Sequence, residues 1–196
     1  MAKRKLGILI SGRGSNMASL VEASRTNDSP YEVVLVASDK PDAAGLEWAA
    51  ERGIPIFAQS PKGMPKAEYE AAIDSALRKA GVEAIALAGY MRLLSDAFVG
   101  RWQGRIVNIH PSLLPKYKGL DTHSRALEAG DTVAGCSVHI VTEELDAGEL
   151  LGQAEVPVLP GDTPHSLAVR VLEQEHLLYP RVVAEWLNRW DCSRLP

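Results

Sequence analysis

The sequence predicts an α/β fold: a Rossmann-like, mostly parallel sheet with helices on both faces, a late antiparallel hairpin and a long C-terminal helix. Three observations carry this expectation. Short apolar runs alternate with longer helical patterns through the first two-thirds of the chain. Glycines stand where those helices should stop. From Ala134 the rhythm changes, and two strand-like runs follow one another with no helix between them. Strands separated by helices need crossover connections, so they lie parallel and are buried on both faces.

Leu6 to Ile10 reads as a buried strand closed by Ser-Gly-Arg-Gly-Ser, which feeds a tight loop and a helix from about Asn16. Val33 to Ala37 repeats the strand pattern. A helix around Ala44 to Arg52 follows, with Gly53 where a left-handed residue is wanted. The Pro in Ile54-Pro55-Ile56-Phe57 argues for an edge or a strand start. A helix from about Lys66 to Ala80 stops at Gly81, and Ala84 to Ala88 and Ile106 to Ile109 supply two more strands. Gly135 to Val141 and Leu150 to Val156 form the hairpin. Asp162-Thr163-Pro164 offers a cap and a first-turn proline for a helix running to about Trp190, with Trp186 and Trp190 as core-facing anchors. No repeat or linker interrupts the chain, so residues 1–196 are read as one domain.

Composition narrows the class of function. With 46% hydrophobic residues the chain can bury a substantial core. A net charge of −4, without long runs of either sign, gives no footprint for nucleic acid or a membrane surface, and a small-molecule partner is expected. Cys136 and Cys192 are far apart and read as ordinary thiols in a reducing compartment. Lys3, Arg4 and Lys5 precede an apolar run that ends at Ser11-Gly12, too short for a signal peptide, and a cytoplasmic location is expected.

Gly12-Arg13-Gly14-Ser15-Asn16 lies between a strand and a helix, where backbone N–H groups and the helix dipole attract a phosphate. A dinucleotide fingerprint, with Asp39 on a ribose, is one reading. However, Met17 stands where the third glycine belongs, so a monophosphate cradle fits better. The plain reading is an ordinary strand-to-helix turn. In Ile106 to Pro115, period-2 alternation puts Asn108 and His110 on one face at the carboxyl end of a strand, the edge where open sheets bind ligands. An amide donor beside an imidazole suits a developing oxyanion. Taken alone, such a His is more often structural, Asp146 in its loop is an ordinary solvated carboxylate, and His139 is packing or hydrogen-bonded structure. His123, His165 and His176 have no partner that spacing reveals.

Several segments in the same order resemble the folate-dependent formyltransferases: Ile10 to Asn16, Ala88 to Leu94, Asn108-Ile109-His110-Pro111-Ser112-Leu113-Leu114-Pro115, Leu145 to Gly148 and Gln174-Glu175-His176. The resemblance covers essentially the whole chain and implies the formyltransferase fold. The Asn-x-His-Pro-Ser-Leu-Leu-Pro motif is shared across the family, while the glycine loop points to the branch that formylates glycinamide ribonucleotide in purine synthesis. By this resemblance Asn108 and His110 bind the formyl oxygen, and Asp146 holds and charges the His. Gly12, Arg13, Gly14, Ser15 and Asn16 receive the ribonucleotide phosphate, and Glu175 lies near the glycinamide, a solvent-facing Glu being the alternative.

The resemblance also implies that Met91, Arg92, Leu93 and Leu94, with Asn108, line a pocket for 10-formyltetrahydrofolate as cosubstrate. The alternative for Met91 to Leu94 is a helix-capping turn on a core-packed loop. Lys66 stands where the family often has a folate-contacting Arg, keeping the charge without the planar fork. No metal is implied, and the chain is expected to be a monomer or homodimer. Formyltetrahydrofolate hydrolases and methionyl-tRNA formyltransferases share the motif but carry an extra domain for which this chain has no room. A nucleotide-binding regulatory module would use the glycine loop but leave Asn108, His110 and Asp146 unexplained.

Overall fold

The computed structural model describes residues 2–190. The parallel part runs β1 (Arg4–Ile10), α1 (Ser15–Ser24), β2 (Tyr31–Ser38), α2 (Ala44–Ala50), β3 (Ile56–Ala58), α3 (Lys66–Lys79), β4 (Ala84–Leu87), α4 (Asp96–Arg101) and β5 (Ile106–His110). Then come α5 (Thr122–Glu128), the hairpin strands β6 (Val133–Ile140) and β7 (Leu150–Pro157), and α6 (Pro164–Asn188). All seven strands join one sheet in the order β3-β2-β1-β4-β5-β6-β7. The first five are parallel, whereas β6 runs antiparallel to both β5 and β7. The expected strands, hairpin and long last helix are therefore present. The short helices α4 and α5 come in addition to the elements expected. Cys192 lies outside the described residues.

The apolar runs form the sheet because both faces are covered. On one face Ile8, Ile10, Ala86 and Val107 pack against α1 and α6 residues such as Leu20, Leu178 and Val182. On the other, Leu9, Ile85 and Ile106 meet Ile73 and Leu77 of α3 and Phe98 and Trp102 around α4. Helix α6 starts in a capping box between Thr163 and Ser166 and is tied to the sheet interior by Tyr179, whose hydroxyl donates to the Leu87 and Val107 carbonyls at 3.0 and 3.2 Å. Trp186 is buried and meets the partly buried Trp190 edge to face, at 4.9 Å between ring centroids. At the amino end, the Arg4 guanidinium donates to the Trp190 carbonyl at 3.3 Å.

The strand order reverses around β1, whose neighbours are β2 and β4. Loops leaving the carboxyl ends of β1 and β4 therefore diverge there and open a crevice, the usual place for a ligand in such a sheet.

Candidate active site

A cavity of about 870 Å³ lies along those strand ends. Asn16 of α1 and Glu175 of α6 line it, as do Lys66 of α3, residues Tyr90 to Leu94, the strand residues Asn108, His110 and His139, and Asp146. Of the Gly12 to Asn16 loop, Asn16 is the member that lines it.

Helix α1 begins at left-handed Gly14 (φ 72°) without a side-chain cap, leaving the N-terminus suited to an external anion. A glycine that sequence reasoning missed supports this turn. Gly45 in α2 approaches so closely that an added Cβ would lie 2.6 Å from Ile10 Cδ1 and 3.0 Å from the Gly12 carbonyl, which already accepts from Gly45 N–H at 3.1 Å. The dinucleotide reading fails at its acidic member. Asp39 is buried and takes the Ser11 hydroxyl at 2.6 Å, and it does not line the cavity. Met17 fills core space beneath the loop.

Glu175 corrects the solvent-facing alternative. It is only 6% exposed, and the amide of Asn16, itself 8% exposed, donates to it at 2.6 Å. Burial pushes the Glu175 carboxyl up, and the Asn16 bond only partly counters it. The other amide atom, Asn16 Oδ1, is buried without a partner. Met91 and Leu93 are 64% and 68% exposed, whereas Leu94 packs against the core and Ser95 caps α4, so the reading as a helix-capping turn holds at the end of the loop and fails at its tip. Its backbone is anchored just beyond β1: the Met91 N–H donates to Ser11 Oγ at 2.9 Å, while the Arg92 guanidinium sits 5.1 Å over the Tyr69 ring. Lys66 opens α3 at the cavity wall, 3.9 Å from buried Glu70, which also caps the chain at Ser95 through that residue's N–H and hydroxyl.

Asn108 and His110 do share a face of β5 and both line the cavity. Ring nitrogen Nε2 of His110 is 3.0 Å from the Tyr117 carbonyl, which can only accept, so Nε2 carries a proton. Nδ1 then faces Asp146 Oδ2 at 3.4 Å. Asp146 reaches this point on a tight loop: its own φ is 47°, and Gly148 passes so close to the Ile140 carbonyl that any Cβ would lie 1.8 Å away. Oδ2 also accepts from Gly119 N–H at 2.9 Å. Burial alone would raise the Asp146 carboxyl, yet its contacts to His139 and the Gly119 N–H, with both imidazoles nearby, outweigh burial and hold it below the usual carboxylate range.

The residue that sequence reasoning left as mere structure is His139. Register places it directly opposite Asn108 across the β5–β6 pair. A register shift between Val138 and His139 marks an irregularity against β7, the kind of feature that re-aims a side chain beside a site. His139 Nε2 is 3.2 Å from Asn108 Nδ2 and 3.5 Å from Asp146 Oδ1. His123 also borders the cavity, lowered by its burial and by neighbouring His110. Exposed His165 is not among the lining residues, nor is His176, whose Nε2 is buried without a partner. Among the described residues no His, Cys, Asp and Glu group is arranged to hold a metal, and no helix is long and apolar enough to cross a membrane.

A family model described as formyl transferase matches residues 4–183. The chain is 45% identical over 203 residues to the phosphoribosylglycinamide formyltransferase of Escherichia coli (strain K12), covering 96% of this chain and 94% of that one. It is 46% identical over 189 residues to the trifunctional purine biosynthetic protein adenosine-3 of Drosophila melanogaster, spanning 95% of its own length but 14% of that protein's. The crystal structure of phosphoribosylglycinamide formyltransferase from Brucella melitensis superposes with a TM-score of 0.92 at 48% identity, over 97% of this chain and 98% of that one. The reversing sheet, the Asn108–His110–Asp146 constellation and these matches agree: the chain belongs to the formyl transferase family.

Proposed function

We propose that this protein transfers the formyl group of 10-formyltetrahydrofolate to the amine of glycinamide ribonucleotide, a step of de novo purine (IMP) biosynthesis. The observation that carries the reading is one continuous cavity lined by Asn108, His110 and Asp146 together with Asn16, Glu175, Lys66 and Met91 to Leu94. It brings a phosphate-suited turn and a buried carboxylate together with an exposed apolar loop and Lys66. Such an arrangement suits two substrates meeting at a central acyl carbon.

The ribonucleotide phosphate binds at the Gly12 to Asn16 turn, where the α1 dipole favours an anion. Glu175 and the unpartnered Asn16 Oδ1 offer acceptors to the donor-rich glycinamide end. Met91 to Leu94 receive the folate ring, with Lys66 toward its anionic tail. The substrate amine attacks the formyl carbon attached to N10, and the carbonyl oxygen gains the negative charge. Asn108 Nδ2 donates to that oxygen, such a donor being worth about 3 to 4 kcal/mol in the barrier, and the His110 ring, charged beside Asp146, stabilises it through its field. The C–N10 bond then breaks; the amine has lost one proton and N10 has gained one, passed through His110 and a water held by Asp146.

Incubation with 10-formyltetrahydrofolate, with and without glycinamide ribonucleotide, tests this. Tetrahydrofolate is expected to form only when the ribonucleotide is present. Release that ignores the ribonucleotide would indicate hydrolysis instead, and no release in either case would leave a binding module.

A further inference from the structure

An oxyanion donor helps only if it is aimed, and a terminal carboxamide swings easily and can present oxygen where nitrogen is needed. The structure supplies a means of fixing the Asn108 amide from the next strand. We propose that His139 is a positioning residue that aims this carboxamide, acting as a neutral ring that carries its proton on Nδ1. The inference rests on the reading of Asn108 as a donor to the formyl oxygen.

The opposite side of the ring sets the tautomer. His139 Nδ1 lies 2.9 Å from the Ile140 backbone carbonyl. A carbonyl can only accept, so Nδ1 must hold a proton. A neutral imidazole has one proton to place, which leaves Nε2 as a lone pair. That lone pair is 3.2 Å from the Asn108 amide, so the atom facing it must be the N–H donor and not Oδ1. One Nδ2 hydrogen is thereby committed, and the second remains for the cavity. Little freedom is left to rearrange, because the ring is 2% exposed and lies opposite Asn108 across the β5–β6 pair. Asp146 Oδ1 also faces Nε2. Of the two groups facing His139 Nε2, the Asn108 amide at 3.2 Å is the nearer, against 3.5 Å for Asp146 Oδ1.

Long-range proton–nitrogen NMR of the His139 ring in the wild-type protein at neutral pH reads the tautomer directly. The expected result is a protonated Nδ1 and an unprotonated Nε2. A ring protonated on Nε2, alone or together with Nδ1, would overturn the proposal, since Nε2 would then donate and the amide would have to turn. Kinetics give a second readout. His139→Leu is expected to lower kcat about tenfold with either KM changed less than about twofold, a smaller effect than the loss of an oxyanion donor itself. His139→Gln, whose amide oxygen reaches close to the place of Nε2, should restore most of that loss. A folded His139→Leu protein with unchanged kcat, or one whose loss lies in KM, would sink the idea. If that variant does not fold by circular dichroism, the wild-type NMR decides alone. A wild-type protein that releases no tetrahydrofolate would defeat the function proposed above while leaving the tautomer measurement intact.

Discussion

Asp146 and Glu175 are two carboxylates on one cavity, and their surroundings leave them on opposite sides of their ordinary ionisation range. A carboxyl held low adds stability above its unfolded pKa of about 4, and that stability is lost as pH falls through the lower folded value. Asp146→Asn is therefore expected to unfold about 1–3 kcal/mol more easily than wild type at neutral pH, the gap closing in acid, as urea titrations at the two conditions would show. Its kcat should fall by about 10²-fold or more if the carboxylate serves His110, and a near-normal kcat would remove it from the reaction. A carboxyl pushed up behaves in the reverse way: its charged form costs stability as pH rises above the unfolded value. Glu175→Gln should accordingly melt a few degrees higher at neutral pH while binding glycinamide ribonucleotide about 10-fold more weakly by calorimetry. Destabilisation together with unchanged affinity would contradict this. Asn108 and His110 were legible because alternation along one strand fixes their face. His139 was not, because its partner is set by register across two strands, and no count along the chain gives that register. The same holds for Glu175, whose burial depends on α6 lying against the Asn16 turn.

Elements show the same division between local and distant causes. The strands and long helices could be read from apolar runs and glycine stops because their signals repeat over several turns or are closed by backbone chemistry; Gly53 and Gly81 indeed adopt positive φ. Helices α4 and α5 bury only two residues each, Phe98 with Val99 and Thr122 with Ala126, too few for a 3.6-residue period to declare itself, whereas α2, equally short, buries Gly45, Leu46 and Ala49. The phosphate-suited turn has a hidden dependence on α2. Gly45→Ala should push the Gly12 to Asn16 turn outward and raise KM for the ribonucleotide about tenfold or more, leaving KM for the folate nearly unchanged. Equal changes in both would mean that the whole sheet edge had moved. Tyr179→Phe removes both hydrogen bonds between α6 and strands β4 and β5, and should cost about 1–3 kcal/mol in denaturant unfolding. A loss below the error of that measurement would mean that packing alone holds the helix.

For the molecule as a whole, one buried thiol can report on the integrity of the sheet. Burial, with the Glu175 charge nearby, pushes Cys136 up to about 12, so almost none of it is thiolate at neutral pH. In a Cys192→Ser chain, alkylation of Cys136 should track global unfolding in denaturant, and rapid labelling of the native protein would show that the sheet opens locally. The contact between Arg4 and the Trp190 carbonyl has a different kind of consequence. It brings the first strand and the end of the last helix to the same place, so the fold has a single doorway through which the polypeptide enters and leaves. A unit of that shape can sit inside a longer chain without being stretched, in keeping with its match to 14% of the trifunctional Drosophila protein. It also makes the order of the segments dispensable: a circular permutant joined by a short glycine linker across this doorway, and reopened in the exposed turn between Lys62 and Gly63, should still assemble the same seven strands.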